Sequence, residues 1–362
     1  MLSMGIRGTE KVVITGVTGM DGSVMSKYLL SLGYIVIGIK RRTSTENTWR
    51  IKEILDHPNF TLVEGDITDI YSIIEILKKH KPQYVLNFAA MSHVGTSFEQ
   101  PQLTWDVTAN GAINVMNACK LVDTNIKIFQ ASTSEMFGSN YSIKNGEKIQ
   151  DHDTVIAPNS PYAVSKNSSH DYARVMRESY GMFVCPVILF NHTHTTRGEN
   201  FVERKITRYV GRFKKWVDET RFCNEDFEGS EFNENISVGN KVLPKLRLGN
   251  IESYRDFGWS EDYMEAVWKI MNSKKPEDYI IATGKTYKIK EIIELAFNQI
   301  GWGEHWEKLI YIDPAFYRPN EVPYLCGSYE KLKNDLGWEP KHNIEQIITK
   351  MVKYDIELAK NE

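Results

Sequence analysis

The stretch "KVVITGVTGMDGS", residues 11–23, decides the fold. Its apolar start leads directly into Gly16, Gly19 and Gly22, and a helix-like segment follows. Glycines at these positions permit a tight turn and let a pyrophosphate approach the N-terminus of a helix. The spacing alone is weak evidence, but a strand before it and a helix after it strengthen the prediction of a dinucleotide-binding turn over an ordinary glycine-rich turn.

Short, almost wholly apolar runs recur along the chain, and amphipathic segments separate them. The runs lie at residues 34–40, 60–66, 83–90, 126–132, 184–190 and 279–283. Such runs are typical of parallel strands that are covered on both faces. Their alternation with helical segments predicts an α/β fold, a Rossmann-type doubly wound parallel sheet. A basic amphipathic helix at 204–219 and a helical C-terminal end are also expected.

The second apolar run ends in Lys40, Arg41 and Arg42, where a carboxylate would bind the ribose of NAD. Guanidinium groups suit a 2′-phosphate, so the run indicates NADP, with a solvated basic turn as the alternative. Asp66 and Ile67 follow the third run and could contact the adenine, although an aspartate there is also a common helix cap.

These patterns divide the chain into two parts. We expect residues 1–190, with about 251–285, to form an NADP-binding domain. Residues 191–250 and 286–362 should form a smaller, mostly C-terminal substrate lobe that is interleaved with it.

Bulk properties exclude several classes of protein. A formal net charge of −3 gives no sign of a general nucleic-acid binder, and no apolar run is long enough for a membrane span. "MLSMGIRGTE" lacks a secretory h-region and is expected to be a short disordered lead-in. The four cysteines are scattered without a CxxC pair, which argues against a zinc site or disulfide framework and fits a cytoplasmic protein. His192 and His194, two apart without a nearby acidic partner, are a weak metal signal, so no metal is expected.

Two further segments carry candidate chemistry. The run "STSE" (132–135) ends an apolar strand, and ligands bind at such strand ends, so Glu135 is either a general base or a solvated loop charge. Tyr162 and Lys166 are four apart in a helical segment and should share a face. A nearby ammonium favours phenolate, which predicts that Lys166 lowers the pKa of Tyr162 and lets it act as a base near neutral pH.

Glycine turn, hydroxyl-rich strand end and YxxxK occur in the order of the extended short-chain dehydrogenase/reductases, which the chain resembles. Over about residues 10–358 it is more narrowly similar to the GDP-mannose 4,6-dehydratase family. The motifs that carry the likeness are "GVTGMDGS", "GIKRRTSTENTWRI", "AAMSHVGTSFEQP", "STSEMFG", "SPYAVSK", "RGENFVERKIT", "LGNIESYRDFGWSEDY" and "YRPNEV". The likeness implies a lyase of deoxysugar biosynthesis that converts GDP-mannose to GDP-4-keto-6-deoxymannose by moving a hydride from C4 to NADP and then to C6, with loss of water.

The resemblance also implies roles for particular residues. Tyr162 would take the proton of the 4-hydroxyl, and Glu135 would remove the C5 proton and protonate the departing 6-hydroxyl. The implied catalytic residues are Thr133, Glu135, Tyr162 and Lys166. The implied cofactor-binding residues are Gly16, Gly19, Met20, Asp21, Gly22, Arg41, Asp66, Ile67, Ala89, Ser92, Tyr162, Lys166, Asn191 and Arg197.

On the substrate side, the family likeness implies a GDP-sugar and a homo-oligomer, either a dimer or a tetramer. The implied substrate-binding residues are Ser92, Ser134, Asn191, Lys205, Arg255, Arg318 and Glu321. Arg255 is expected to pair with a phosphate, and Arg318 and Glu321 to hold the nucleoside ribose. Taken singly, each could be an ordinary surface charge.

Three departures from the family pattern lie on the substrate and oligomer side. The usual "NHESPRRGE" reads "NHTHTTRGE", which puts Thr196 where the family has an arginine in a region that meets the neighbouring subunit and its cofactor. The usual "RDWGHAKDY" reads "RDFGWSEDY", with Trp259 where histidine is common. The stretch before "LGN" is longer than usual and ends in an acidic segment, 223–242, that is expected to be a loop.

These departures leave GDP-manno-heptose open as an alternative substrate. A non-catalytic NADP-binding regulator of the same fold is disfavoured, because such a protein would be expected to lose some of the four catalytic residues, and all are present.

Overall fold

The computed structural model describes residues 9–223 and 234–362. The expected lead-in over residues 1–8 and the acidic stretch 224–233 lie outside the described residues. The strands in chain order are β1 Lys11–Thr15, β2 Ile35–Lys40, β3 Phe60–Glu64, β4 Tyr84–Asn87, β5 Lys127–Thr133, β6 Ser142–Lys144, β7 Glu147–Ile149, β8 Val184–Leu189, β9 His192–Thr193, β10 Asn235–Val238, β11 Lys241–Pro244, β12 Leu246–Leu248, β13 Tyr254–Arg255, β14 Gly258–Trp259, β15 Tyr279–Ile281, β16 Tyr287–Lys288 and β17 Ile310–Ile312.

The helices lie between these strands and at the C-terminal end. In chain order they are α1 Met20–Ser31, α2 Ile70–His80, α3 Val94–Glu99, α4 Pro101–Trp105, α5 Gly111–Val122, α6 Pro161–Tyr180, α7 Val202–Thr220, α8 Ser260–Met271, α9 Ile289–Asn298, α10 Glu330–Leu336 and α11 Ile344–Lys360. Short 3₁₀ turns cover Trp49–Ile54, Ser134–Phe137, Trp306–Leu309 and Pro314–Phe316, and a π-helical turn covers Asp106–Asn110.

Seven strands form the central sheet, in the order β15-β8-β5-β4-β1-β2-β3, and every neighbouring pair is parallel. Each apolar run that the sequence marked as a strand supplies one of these seven, so the prediction of a doubly wound parallel sheet is confirmed. The chain winds in opposite directions on the two sides of the β1–β4 pair. In such sheets the crevice at this switch point, beyond the carboxyl ends of the strands, is where ligands bind.

Both faces of the sheet are covered, which is why its strands are apolar throughout. Val12 and Ile14 of β1 pack with α1 and α8 on one face, where Met25 and Trp268 are buried. Val13 faces the other side, towards the layer of α2, α5 and α6. Burial of both faces removes the alternation of polar and apolar residues that a half-exposed strand would show.

A second apolar core lies around α7, α9 and α11. Helix α7 confirms the predicted basic amphipathic helix and buries Ile206, Val210 and Phe213 along one stripe. Gly211 lets α11 approach closely, because a Cβ atom there would lie 2.5 Å from the carbonyl oxygen of Asp355. No helix within residues 9–223 and 234–362 combines the length and apolar character of a membrane span.

The prediction that residues 223–242 form a loop is wrong for the part that the structure describes after residue 233. Strands β10 and β11 form an antiparallel hairpin in which Val238 pairs with Lys241. The two-residue Gly239-Asn240 turn closes it, with Gly239 at a φ of +56°. A Gly-Asn pair between short runs containing β-branched residues is a hairpin signal. The acidic composition of the residues before it led to the loop prediction.

Candidate active site

The glycine turn after β1 is built by backbone contacts that exclude side chains. Gly16 adopts a φ of +66°, and its carbonyl oxygen accepts a hydrogen bond of 2.9 Å from the backbone N–H of Gly19. A Cβ atom on Gly22 would lie 2.3 Å from that same oxygen. The first turn of α1 therefore packs directly on the loop, which leaves room for a pyrophosphate at the helix N-terminus.

A cavity of about 970 Å³ opens at the carboxyl ends of the strands, between the sheet and the second core. Every residue that the family resemblance assigned to cofactor, catalysis or substrate lies on its wall. These residues are Gly16, Gly19, Met20, Asp21, Gly22, Arg41, Asp66, Ile67, Ala89, Ser92, Thr133, Ser134, Glu135, Tyr162, Lys166, Asn191, Arg197, Lys205, Arg255, Arg318 and Glu321.

The wall also contains residues that sequence reasoning missed, among them His93, Phe201, Glu203, Asn250 and Phe316. His93 and Glu203 lie inside motifs that carried the family likeness. A search for unassigned polar residues within those motifs would have found them.

Helix α6 presents three polar side chains, one turn apart, to the end of β5. Its register is set at its start, where Pro161 occupies the first position and the Ser160 hydroxyl accepts a hydrogen bond from the backbone N–H of Ala163. Tyr162 lies close enough to the Thr133 hydroxyl for that hydroxyl to lower the pKa of the phenol. The Lys166 Nζ donates to the carbonyl oxygen of Ala131 at 2.7 Å.

One turn further along α6, the Nδ1 of His170 lies 2.8 Å from the hydroxyl of Ser132. Side chains at positions 162, 166 and 170 thus contact residues 133, 131 and 132 of β5. The predicted catalytic pair is therefore held between a central strand of the sheet and a helix that packs against it.

The pKa of Tyr162 differs from the sequence prediction. Burial raises the pKa of Tyr162 to about 12, although the Thr133 hydrogen bond and the charge of Arg197 oppose the rise. Burial also lowers the pKa of Lys166, to about 8. The Lys166 Nζ lies 5.9 Å from the centre of the Tyr162 ring. For the groups of this chain, the prediction that Lys166 brings the pKa of Tyr162 close to neutral is wrong, because burial dominates and the opposing contributions come from Thr133 and Arg197.

Glu135 lies in the 3₁₀ turn directly after β5, and its side chain belongs to the cavity wall. The Thr133 hydroxyl caps the turn by accepting a hydrogen bond of 3.3 Å from the backbone N–H of Glu135. Gly138 ends the turn at a φ of +56°, and a Cβ atom there would lie 2.1 Å from the carbonyl oxygen of Ala157. Glu135 is only 6% exposed, which excludes a solvated loop charge.

The cofactor side of the wall carries both signs of charge. Lys40, the last residue of β2, and Arg41 line the cavity, whereas Arg42 does not. Asp66 also lies on the wall, and its Oδ1 accepts a hydrogen bond of 2.9 Å from the backbone N–H of Thr68. Asp66 therefore forms a local turn as well as part of the wall, and its interpretation as a helix cap is wrong, because Asp69 caps α2 by accepting from the backbone N–H of Tyr71.

The carboxylate of Asp21, at the start of α1, is hydrogen-bonded to other side chains of the protein. Its carboxylate accepts hydrogen bonds from Ser260 at 2.8 Å and lies 2.9 Å from Nε2 of His192. Burial alone would raise the pKa of Asp21, but the charge and hydrogen bond of His192 outweigh it and lower the pKa. These contacts tie the glycine turn to the start of α8 and to β9, and they give His192 a protein partner.

The substrate side of the wall is a cluster of paired charges. The Arg255 Nη2 donates to Oε1 of Glu321 at 2.6 Å, and Arg318 reaches the same oxygen at 3.4 Å. Burial lowers the pKa of Arg255, which is 6% exposed. The Lys205 Nζ lies 4.1 Å from the centre of the Phe316 ring. Cations that line a cavity in this way suit a phosphorylated ligand.

Asn191 is a second feature that suits a polar ligand. Its side-chain oxygen is buried on the cavity wall and has no hydrogen-bond partner in the described part of the chain. Leaving such an atom unpaired costs about 1–3 kcal/mol. A ligand that donates a hydrogen bond to Asn191 would remove that cost.

Thr196 and Trp259, two of the departures from the family pattern, both contact His194. The His194 ring lies 4.9 Å from the Trp259 ring, and its Nδ1 is 2.8 Å from the Thr196 hydroxyl. On the other side, the His194 Nε2 lies 3.7 Å from Glu261. None of His194, Thr196 and Trp259 lines the cavity. The two departures therefore form one cluster behind the wall.

The chain is similar over most of its length to proteins of known sequence. The family model described as GDP-mannose 4,6 dehydratase matches residues 13–226 and 230–351. GDP-mannose 4,6 dehydratase 1 of Arabidopsis thaliana is 39% identical over 379 residues, an alignment that covers 100% of this chain and 96% of the relative.

Solved structures share the fold at low sequence identity. DesIV, a dTDP-glucose 4,6-dehydratase from Streptomyces venezuelae solved with NAD bound, has a TM-score of 0.78 and 19% identity, covering 96% of this chain and 97% of that one. RMD from Pseudomonas aeruginosa, complexed with NADPH, has a TM-score of 0.70 and 20% identity, covering 97% and 98%. Both likenesses agree with the doubly wound sheet.

Proposed function

The chain belongs to the GDP-mannose 4,6 dehydratase family and is an enzyme of that class, and we propose that it converts GDP-mannose to GDP-4-keto-6-deoxymannose with NADP as its cofactor. The observation that carries this proposal is the burial of Glu135 on the same wall as Thr133 and Tyr162. Simple reduction or oxidation at C4 requires one proton-transfer group. Elimination of water requires a second, and Glu135 supplies it.

The residues present fit a nicotinamide dinucleotide. Gly16 and Gly22 leave no room for side chains at the start of α1, so the backbone N–H groups there can face a pyrophosphate. The cavity extends from this turn to Tyr162 and Lys166, which joins the phosphate-binding end to the catalytic pair.

Lys40 and Arg41 support NADP over NAD. Both lie on the wall at the carboxyl end of β2, and the described wall residues between 39 and 47 include no carboxylate that would bind a ribose hydroxyl. A 2′-phosphate would find a cation there. The homo-oligomer and the cytoplasmic location stay predictions from the sequence.

The proton steps follow from the groups on the wall. A bound oxidised nicotinamide would supply a reversible hydride acceptor beside C4 and C6 and a positive charge that favours the phenolate of Tyr162. Tyr162 removes the proton of the 4-hydroxyl, and the Thr133 hydroxyl stabilises the phenolate by its hydrogen bond. Lys166 fixes α6 against β5 by donating a hydrogen bond to the carbonyl oxygen of Ala131, and in this way it orients Tyr162.

Glu135 then acts on the ketone. The 4-keto group acidifies the proton on C5, and the carboxylate of Glu135 removes it. The same carboxyl group donates a proton to the 6-hydroxyl, which leaves as water. The last step adds a proton to C5. The proton that Tyr162 took from the 4-hydroxyl accounts for it. No net oxidation results, so the cofactor is regenerated in each turnover.

Mass spectrometry of the purified protein with NADP⁺ and a nucleotide sugar tests the proposal. GDP-mannose and GDP-manno-heptose are offered separately, and a reaction without protein is the control. We expect loss of one water from GDP-mannose, faster than from the heptose, with no accumulation of NADPH. Faster loss from the heptose would reassign the substrate. Loss from neither, or stoichiometric NADPH formation, would contradict the proposed reaction.

A further inference from the structure

His93 lies on the cavity wall and is not among the residues given a role above. Its hydrogen bonds determine which ring nitrogen carries the proton. It caps α3, where its Nδ1 accepts a hydrogen bond of 3.1 Å from the backbone N–H of Thr96 and lies 2.8 Å from the Thr96 hydroxyl. A nitrogen that accepts from a backbone N–H cannot carry a proton itself. The proton of the neutral imidazole is therefore on Nε2, which becomes a hydrogen-bond donor.

The ring is also fixed in place. A Cβ atom on Gly95 would lie 3.0 Å from Cε1 of His93, so glycine at that position leaves room for the ring to fold over the start of α3. The Phe201 ring packs against it edge-on, with 5.7 Å between centroids. Nε2 makes no hydrogen bond within residues 9–223 and 234–362, although both His93 and Phe201 line the cavity.

The surroundings of His93 are cationic. Burial lowers its pKa, and the charges of Arg318, Lys205 and Arg197 lower the pKa further, whereas Glu99 opposes them. The imidazole is therefore neutral at neutral pH. Arg318, Lys205 and Arg197 all lie on the same cavity wall, and a wall with several cations attracts an anionic ligand.

We propose that the Nε2–H of His93 donates a hydrogen bond to an oxygen of the substrate's diphosphate. The inference rests on the proposed function only in taking the substrate to be a nucleoside-diphosphate sugar. Unlike the nearby arginines and lysine, His93 contributes a directional neutral donor, which adds orientation without another charge. His93 is thus a substrate-positioning residue in the same cavity.

The variant His93→Asn separates capping from substrate binding. Asparagine is a good N-cap and keeps a hydrogen-bond acceptor for the start of α3. Its side chain is too short to place a donor where Nε2 lies. His93→Gln is the rescue variant, because its amide nitrogen reaches about as far as Nε2. Melting temperature and the Kd for NADP⁺ monitor the fold and the cofactor site.

Calorimetric titration of NADP⁺-loaded protein with GDP and with guanosine measures the effect. A hydrogen bond to a charged group contributes about 1.5–3 kcal/mol, so we expect His93→Asn to bind GDP at least tenfold more weakly and guanosine within about twofold of wild type. His93→Gln should recover part of the GDP affinity.

Equal GDP affinity in wild type and His93→Asn would overturn the inference, as would an equal loss for guanosine. A higher KM for GDP-mannose with unchanged GDP affinity would move the donor to the sugar and also overturn it. Failure of the wild type to bind GDP would count against the proposed function itself, so the two failures can be told apart.

Discussion

The two sides of the cavity are built in different ways. On the catalytic side, Tyr162 and Lys166 come from α6, and each binds a hydroxyl or carbonyl of β5. On the substrate side, Arg255 and Arg318 come from a two-residue strand and a loop, and both bind the carboxylate of Glu321. On the first side the side chains are held by elements of the sheet and its helix layer, whereas the second is a charge cluster in which a phosphate must compete with a carboxylate for each arginine.

The largest expected effect is on the catalytic side. Glu135→Gln keeps the shape of the side chain but removes the proposed general base, and such groups contribute about 10²–10⁴-fold to rate. We expect the rate of water loss from GDP-mannose to fall by about 10³, with the Kd for NADP⁺ unchanged. Stopped-flow absorbance of the nicotinamide would show whether hydride leaves C4 before the reaction stops.

The matched control for Glu135→Gln is Glu321→Gln, which changes a carboxylate on the other side of the same cavity. It should alter KM far more than the maximal rate. Wild-type turnover by Glu135→Gln would contradict the mechanism and would remove the functional difference between the two sides.

The substrate side should respond to changes that preserve charge. Arg255 is buried and binds both Glu321 and the carbonyl oxygen of Tyr254, at 2.6 and 2.8 Å. Lysine cannot reproduce this forked geometry. We expect Arg255→Lys to lower kcat/KM for GDP-mannose by about 10–100-fold, mostly through KM. Steady-state kinetics at constant ionic strength is the measurement.

Arg318→Lys is the paired variant. Arg318 is more exposed than Arg255, and its contact with the same oxygen of Glu321 is longer, at 3.4 Å. Its loss should be several-fold smaller, since contacts between exposed charges are worth less. An equal loss in both variants would mean that burial does not distinguish the two arginines.

The contrast also explains what the sequence could predict. The fold and the Tyr162–Lys166 face were predictable, because apolar runs and a spacing of four residues follow the periods of strands and helices. The pairing of Arg255 with Glu321 was not, because they lie 66 residues apart and loop geometry sets their contact. The pKa of Tyr162 was mispredicted because burial, which no local pattern reveals, outweighs a neighbouring charge. The hairpin β10–β11 was missed because its acidic flank concealed a two-residue turn.

A smaller effect is expected at the rim, where Arg41 is exposed. Arg41→Ala should weaken binding of NADP⁺ relative to NAD⁺ by about tenfold, since it removes one charged contact to a 2′-phosphate. Fluorescence titration with both dinucleotides gives the ratio. Arg42→Ala is the control, because Arg42 does not line the cavity. Equal losses for NADP⁺ and NAD⁺ in Arg41→Ala would contradict the proposed cofactor preference.

The smallest change tests how finely the catalytic side is tuned. The Thr133 hydroxyl lowers the pKa of Tyr162 by its hydrogen bond, so Thr133→Val should raise that pKa. Because the base is the phenolate, activity that rises with pH should then rise at a higher pH, by about half to one unit for a hydrogen bond of about 1 kcal/mol. The kcat/KM profile from pH 6 to 10 measures the displacement. Thr133→Ser keeps the hydroxyl and should leave the profile in place. A profile that does not move in Thr133→Val, or that moves equally in both variants, would show that Thr133 holds the turn of Glu135 and does not tune Tyr162.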